Sequence, residues 1–560
     1  MIKFSQQSIG DKLKGIGREA EEREAERRAA KEKLPYLDLR GQAIDRKALE
    51  LVAEDLAREA RAIPFKKDKK RIGIATLTSK SGGFAKLILF LEEKKLEPDI
   101  FIASLSGLED GWREYSSVRV EDRGEIVSEI KLTEGVLQSK ASIKSVIIAT
   151  DDMADINSDI STTDALVKIL ADAIALRASD IHLESGKTTA LLRFRIDGVL
   201  YEIIKLPEDI HRRLIGRLKL LANLKLNVKD RPQDGRFTIR RQKGDVESRI
   251  SVIPAEYGES AVMRVLDPQA INLGLSDIGL RKDDETAILE AIKQPNGMIL
   301  VTGPTGSGKT TSLYTFLKMG NSPEVKTITI EDPIEYHLNG IEQTQVSPED
   351  GYTFASGLRS ALRQDPDTIL VGEIRDKETA NTAIDAALTG HLVFSTLHTN
   401  NALGAVPRLL DLGVKPGSIA PAINLIMAQR LVRRLCEKCR LATRVNGDLA
   451  KNIDTFYAEL PPKAVPKIKK QSLYKEAGCS ECEGGFRGRV GIFEILVLDE
   501  SFDEIIEQGV GEIRMKNYAR GKGMVYMQED GILKALAGVT TLDEVEKATG
   551  SIKWPKGAVE

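Results

Sequence analysis

An apolar run, Met298–Thr302, leads into Gly303-Pro304-Thr305-Gly306-Ser307-Gly308-Lys309-Thr310, and a helix-forming stretch follows. Few octapeptides constrain a fold so strongly. The glycines let successive backbone N–H groups wrap a chain of phosphates, while the helix turns its positive N-terminal end toward them. A strand entering such a loop and a helix leaving it belong to an α/β layer with a parallel sheet. Lys309 is placed to contact the β- and γ-phosphates of ATP, and Thr310 to ligate Mg²⁺. Thr311, in the same helical turn, is counted with the ATP-binding residues.

The chain has 560 residues, enough for several domains of roughly 100–200 residues each. Its 82 basic and 84 acidic residues leave a formal net charge of -2, so no global attraction to nucleic acid is expected. No window holds the roughly 18–20 consecutive apolar residues of a membrane span, and the first residues lack the apolar core of a secretory signal. These features predict a cytoplasmic protein.

Residues 1–33 read as a charged helical arm, with opposite charges at i,i+4 spacing that suit a solvated helix. Residues 34–150 read as an α/β N-terminal domain, with helix 45–61, strand 71–77, helix 83–95 and strand 100–105. The polar stretch 151–163 reads as a linker. Residues 164–270 form a second, α+β domain: a helix over 164–178, strands at 180–184, 191–196 and 199–204, a helix over 209–222, then strands at 235–241, 246–254 and 260–266. From 271 to 560, helices alternate with short apolar strands, as in a nucleotide-binding domain, and C-terminal helices close the chain.

Three further strand ends carry polar chemistry. Strand 326–330 ends in Glu331-Asp332-Pro333-Ile334-Glu335, where carboxylates can order a metal-bound water. Strand 368–371 ends in Gly372-Glu373. Many ATPases of this kind have an aspartate followed by a glutamate there, so Gly372 replaces the aspartate and Glu373 becomes the candidate for polarising the attacking water. Strand 392–397 is bracketed by His391 and His398, two of only five histidines, and both are candidate γ-phosphate sensors. Between these strands, a helix over 354–364 puts Arg359 and Arg363 on one face, where two guanidinium groups suit phosphate or interface contact.

All four cysteines fall in two CxxC pairs, Cys436/Cys439 and Cys479/Cys482. Four thiolates match a tetrahedral structural zinc site, and the long intervening loop adds little to the closure entropy. A redox role for CxxC requires a thioredoxin-like setting, which the surrounding sequence lacks.

Together, Gly303–Thr310, Glu331–Tyr336, the run from Gly357 to Asp376, and Thr389–Asn400 resemble the Walker A, Asp box, Walker B and His box of the secretion ATPase superfamily. More narrowly they resemble the type II secretion and type IV pilus assembly ATPases, the GspE/PilB group. Ala178–Glu184, Arg193–Gly198 and Arg231–Arg236 resemble that family's second N-terminal domain. The resemblance is dense from Ala178 to Leu496 and loose over the first 150 residues.

It implies a RecA-like core over 271–560 with a zinc-binding insertion at 430–490, a PAS-like second N-terminal domain, and a homohexamer. ATP would lie between the two domains. Arg249 and Arg264 match arginines that the second N-terminal domain lends to the phosphates, and Arg489 is a further candidate. The site residues implied are Lys309, Glu331, Glu373, Arg249 and Arg264 for catalysis, with the Walker A residues, Arg359, Arg363, His391 and His398 around ATP. The implied partners are a polytopic inner-membrane platform protein, and an assembly or regulatory partner docked on the N-terminal domain. The motor would sit at the inner face of the cytoplasmic membrane and build a pilus or secretion pseudopilus. A nucleotide-gated docking scaffold and a DNA-transfer motor remain alternatives.

Overall fold

The computed structural model describes residues 7–39, 44–49, 51–52, 54–68, 71–94, 96–122, 129–132, 162–242, 244–271, 273–467, 472–507, 509 and 511–555. The chain divides into two compact units, Met1–Ser128 and Glu129–Glu560.

In the first unit, β1 (Ala62–Asp68), β2 (Arg71–Thr76) and β3 (Glu97–Ile102) form a sheet in the order β1-β2-β3. β1 runs antiparallel and β3 parallel to β2, the latter through helix Gly82–Glu93. The expected helix over 45–61 is instead two short helices, Arg46–Leu49 and Glu54–Glu59, followed directly by β1. The N-terminal helix, Gln7–Glu32, is not a solvated arm along its described face. Glu22, Ala25 and Ala29 are buried, and their i,i+3,i+7 spacing makes one packing stripe. Glu22 accepts hydrogen bonds from Tyr36 Oη at 2.6 Å and Ser104 Oγ at 2.7 Å, and Glu32 accepts from Thr78 Oγ1 at 2.7 Å and Ser79 N at 2.9 Å. Side chains of charge and alanine, which suit solvent locally, here strap the helix to its own domain.

The second unit begins with β4 (Glu129–Lys131), which pairs in parallel with β8 (Gln233–Arg240). The expected domain end at 150 therefore lies past a strand that belongs to the following sheet, and most of the expected linker, 151–161, lies outside the described residues. The other strands of this sheet are β5 (Asp180–Glu184), β6 (Thr189–Ile196), β7 (Val199–Pro207), β9 (Val246–Ala255) and β10 (Gly258–Leu266), all paired antiparallel in the order β4-β8-β9-β10-β5-β6-β7. Strict alternation buries Ala190, Leu192, Phe194 and Ile196 of β6 in a core shared with helices Thr162–Ala175 and Glu208–Leu221. The same alternation sends Arg193 and Arg195 to the opposite face.

The next sheet contains β11 (Gly297–Thr302), β12 (Thr327–Glu331), β13 (Glu342–Gln345), β14 (Thr368–Val371), β15 (Leu392–Leu397) and β16 (Ile423–Leu435). A two-stranded ribbon, β17 (Leu441–Arg444) and β18 (Ser472–Lys475), precedes β19 (Phe486–Val497). The order is β13-β12-β14-β15-β11-β16-β19, parallel except that β19 returns antiparallel to β16. Every residue of β11, β12, β14 and β15 is buried, with apolar cores on both faces, the usual condition of a parallel sheet covered by helices. Parallel alignment brings the carboxyl ends of these four strands to one edge, where such sheets bind ligands.

Candidate nucleotide site

β11 delivers Gly303 at φ +145°, where a Cβ would come within 2.5 Å of Gln429 O, so only glycine permits this close approach of loop to β16. Gly308, at φ +88°, caps helix Lys309–Gly320. Ser307 Oγ and Thr302 Oγ1 are buried and have no hydrogen-bond partner among the described residues. Ser307 adjoins the helix N-terminus, where an orphaned hydroxyl suits an anionic ligand that accepts from it, and Thr302 ends β11 at the mouth of the loop. Lys309 Nζ meanwhile donates to Gly303 O at 2.8 Å and Pro304 O at 3.2 Å. Burial lowers the pKa of this ammonium and Glu373 partly restores it, so an incoming phosphate would meet a poorly solvated cation.

The two acidic strand ends differ in kind. Glu331 is buried, and its oxygens accept from Tyr314 Oη, from Thr329 Oγ1 at 2.6 Å and from Gln343 Nε2 at 3.0 Å. Burial, together with the Glu331 carboxylate, pushes the Tyr314 phenol far above its ordinary pKa, keeping it a donor. Glu373 is paired with Arg375 through Oε1 and lies 3.4 Å from His398 Nε2 through Oε2. Gly372 keeps its backbone close to β12, its N–H donating to Ile330 O at 2.8 Å and its carbonyl accepting from Thr396 Oγ1 at 2.8 Å.

These groups line a cavity of about 750 Å³ between the two sheets of the second unit. The ATPase-like sheet contributes Gly306, Lys309, Thr310, Thr311, Glu331, Glu373 and His398, and the antiparallel sheet contributes Asp180, Arg195 and Arg264. Arg489, from β19, also lines it. The volume and the concentration of cations opposite a phosphate-binding loop suit a nucleoside triphosphate.

The four cysteines also converge. Cys436 ends up beside Cys479 at 3.9 Å between sulfurs, Cys439 beside Cys482 at 3.6 Å, and Cys479 beside Cys482 at 3.5 Å. Zn–S bonds of about 2.3 Å at tetrahedral angles place sulfurs roughly 3.8 Å apart, so the donor set fits a tetrathiolate metal site. Burial pushes the Cys482 thiol up to about 12, which makes a thiolate there costly without a cation. Cys436 N donates to Gly485 O at 2.8 Å, so the cluster closes the open end of the β16–β19 pair.

Residues 156–547 match the family model described as Type II/IV secretion system protein. The chain belongs to this family. The type II secretion system protein E of Pseudomonas aeruginosa is 42% identical over 410 residues, covering 73% of this chain and 80% of that one. The type II secretion system ATPase E of Vibrio cholerae is 42% identical over 400 residues, covering 71% and 77%. The type IV pilus assembly ATPase PilB of P. aeruginosa is 43% identical over 383 residues, covering 68% and 66%. Among solved structures, the ATPase DotB of Legionella pneumophila shares the fold with a TM-score of 0.52 at 22% identity, covering 70% of this chain and 97% of that one. This secretion-family chain is an ATPase.

Several predicted site residues of the secretion ATPase stand apart from its own cavity. His391 precedes β15 while His398 follows it, so a six-residue strand, about 20 Å long, separates the pair. His391 Nδ1 instead lies 3.0 Å from Ala386 O. Arg359 pairs with Glu378, and Arg363 donates to Arg359 O at 2.8 Å and to Ser360 Oγ at 3.1 Å; neither lines the cavity. Arg363 also lies beyond the α-helix, which ends at Ala361 and tightens into a 3-10 turn. Arg249 reaches the loop after β12, donating to Ile334 O and lying 3.4 Å from Glu335 Oε1. Arg195 was not predicted as a site residue, although the strand alternation around it, with Phe194 inward and Arg193 and Arg195 outward, was available to place it.

Proposed function

We propose that the chain is a hexameric Mg²⁺-dependent ATPase that drives assembly of a type IV pilus or a type II secretion pseudopilus. The observation that carries this reading is the cavity itself, in which Lys309 and Glu373 face Arg264 from a different domain. ATP bound to the loop would replace the Gly303 and Pro304 carbonyls as acceptors for Lys309, and Thr310 would hold Mg²⁺ with its hydroxyl. Glu373, fixed by Arg375 and His398, orients and polarises the attacking water. Glu331, with both oxygens already accepting hydrogen bonds, acts through the loop it anchors. Arg264 stabilises charge on the transferred phosphoryl group when the domains close, which ties chemistry to motion. Arg249, Arg359, Arg363 and His391 are reserved in this reading for rearranged or intersubunit contacts.

The parallel sheet supports a RecA-like core, and the antiparallel sheet with helices on one face supports a PAS-like domain. Cys436, Cys439, Cys479 and Cys482 would hold one Zn²⁺ as a structural crosslink. No helix among the described residues is long and apolar enough to cross a membrane. The partner in this reading is a polytopic platform protein of the membrane. The decisive experiment is phosphate release by purified Lys309→Ala and Glu373→Gln chains. Both should lose activity, and near-normal turnover in either would sink the assignment.

A further inference from the structure

We propose that Arg195 is a third guanidinium directed at the bound phosphates, and that Asp180 positions it together with Arg264. The inference rests on the cavity being the ATP site. Asp180 occupies β5 between two strands, in register with Arg195 on β6 and with Arg264 on β10. Its Oδ2 lies 3.5 Å from Arg195 Nε and its Oδ1 lies 3.3 Å from Arg264 Nε, while Ser179 Oγ donates to Oδ2 at 2.9 Å. One buried carboxylate thus spans two arginines on neighbouring strands.

The geometry leaves the arginine tips available. Asp180 takes the Nε of each, and Arg195 gives Nη1 to Gly198 O at 3.1 Å. Arg195 Nη2 and both terminal nitrogens of Arg264 have no hydrogen-bond partner among the described residues. Both side chains are partly exposed, at 35% and 57%, whereas that of Asp180 is 12% exposed. The carboxylate is the more buried of the three groups, and both arginines line the cavity that Lys309 also lines.

Two cations flanking one strand, about 9.5 Å apart across two strand spacings, repel each other and sample many rotamers. An aspartate between them offsets the repulsion and orders both side chains before ligand arrives, reducing what binding must immobilise. Arg264 alone could be a lone arginine finger. The shared carboxylate makes Arg195 and Arg264 a unit.

The test is equilibrium titration of the full-length chain with a non-hydrolysable ATP analogue and Mg²⁺, alongside a thermal melt of each variant. Arg195→Ala should weaken binding about tenfold, the effect of one charge-assisted contact, and Arg195→Lys should recover only part of it, because a point-charge ammonium cannot serve carboxylate and phosphate together. Asp180→Asn should weaken binding severalfold, and the Asp180→Asn/Arg195→Ala double variant should lose less than the product of the two single losses. Multiplicative losses, or an Asp180→Asn chain that no longer melts cooperatively, would assign Asp180 a structural role and overturn its positioning one. Lys309→Ala serves as the control. Lost binding in Lys309→Ala with native affinity in Arg195→Ala overturns this inference alone, whereas native affinity in Lys309→Ala overturns the ATP-site reading beneath it.

Discussion

Asp197 accepts a hydrogen bond from the backbone N–H of Gly488 at 2.7 Å. Asp197 forms the β6–β7 turn with φ +51°, and Gly488 immediately precedes Arg489, a cavity residue. One carboxylate thus links the antiparallel sheet to the strand that carries a cation into the nucleotide cavity. Asp197→Asn keeps a side chain tolerant of positive φ while removing the charge. It should weaken this contact by roughly 1–2 kcal/mol and expose the adjoining segment. Trypsin should then cut faster after Arg487 and Arg489, and an unchanged cleavage rate would contradict the linkage.

Glu373→Gln removes the charge that pairs with Arg375 and faces Lys309 while preserving size. It should retain ATP binding but lose turnover by about 100-fold or more, the scale expected for loss of an acid–base group. Lys309→Ala should lose both. Parallel binding and phosphate-release assays separate the two, and weakened binding in Glu373→Gln equal to that of Lys309→Ala would move Glu373 from chemistry to ligand anchoring.

Gly372→Asp restores the residue common at this position, yet its Cβ would lie 3.2 Å from both Ile330 O and Phe354 Cε1. A crowded carboxylate here also approaches Glu331. The variant should be destabilised by roughly 1–3 kcal/mol, visible as a lowered denaturant midpoint, and should gain no activity. A more active and equally stable variant would refute the packing account.

Glu544 accepts from Arg433 Nε at 2.9 Å, from Arg433 Nη2 at 2.6 Å and from Lys547 Nζ at 2.9 Å. Burial opposes ionisation, but these donors outweigh it and hold the carboxyl at about 2 against an ordinary value of 4.5. A depressed folded pKa stabilises above the unfolded value and loses that contribution as pH falls through the folded one. Glu544→Gln should therefore cost roughly 1–3 kcal/mol near neutrality, with solvent screening included, and the difference from native should shrink between pH 4.5 and 2. Chemical denaturation across that window checks it.

The cysteine cluster should carry one zinc per chain by elemental analysis. Chelation should release it and lower the melting temperature, since the cluster closes the ends of β16 and β19. A metal-free preparation with an unchanged melt would exclude a structural metal.

Regular and local features were legible in advance. Strand β14 follows from a short apolar run bounded by polar turns, β5 from alternation of polar and apolar residues, and the glycine loop from its own octapeptide. The two CxxC pairs were legible as one cluster, and their four sulfurs converge. Less was legible where context changes the value of a residue. Glu22, Ala25 and Ala29 read as part of a soluble helix because nothing local reveals the surface of Tyr36 and Ser104 against which they pack. His391 and His398 are close in sequence, but a strand between them carries the second away from the first.

The sequence by itself determined that this chain binds nucleotide phosphates, because the glycine loop encodes its own backbone geometry within eight residues. It also determined which acids end the neighbouring strands, since a parallel sheet aligns those ends. The family resemblance offered Arg249 and Arg264, and only the tertiary structure decided that Arg264 and Arg195, but not Arg249, line the cavity beside the loop. Arg195 and Arg264 share Asp180 through cross-strand register, while Arg249, one strand farther along, turns to the loop after β12. Strand pairing is a contact between distant parts of the chain, and its register has no local signature.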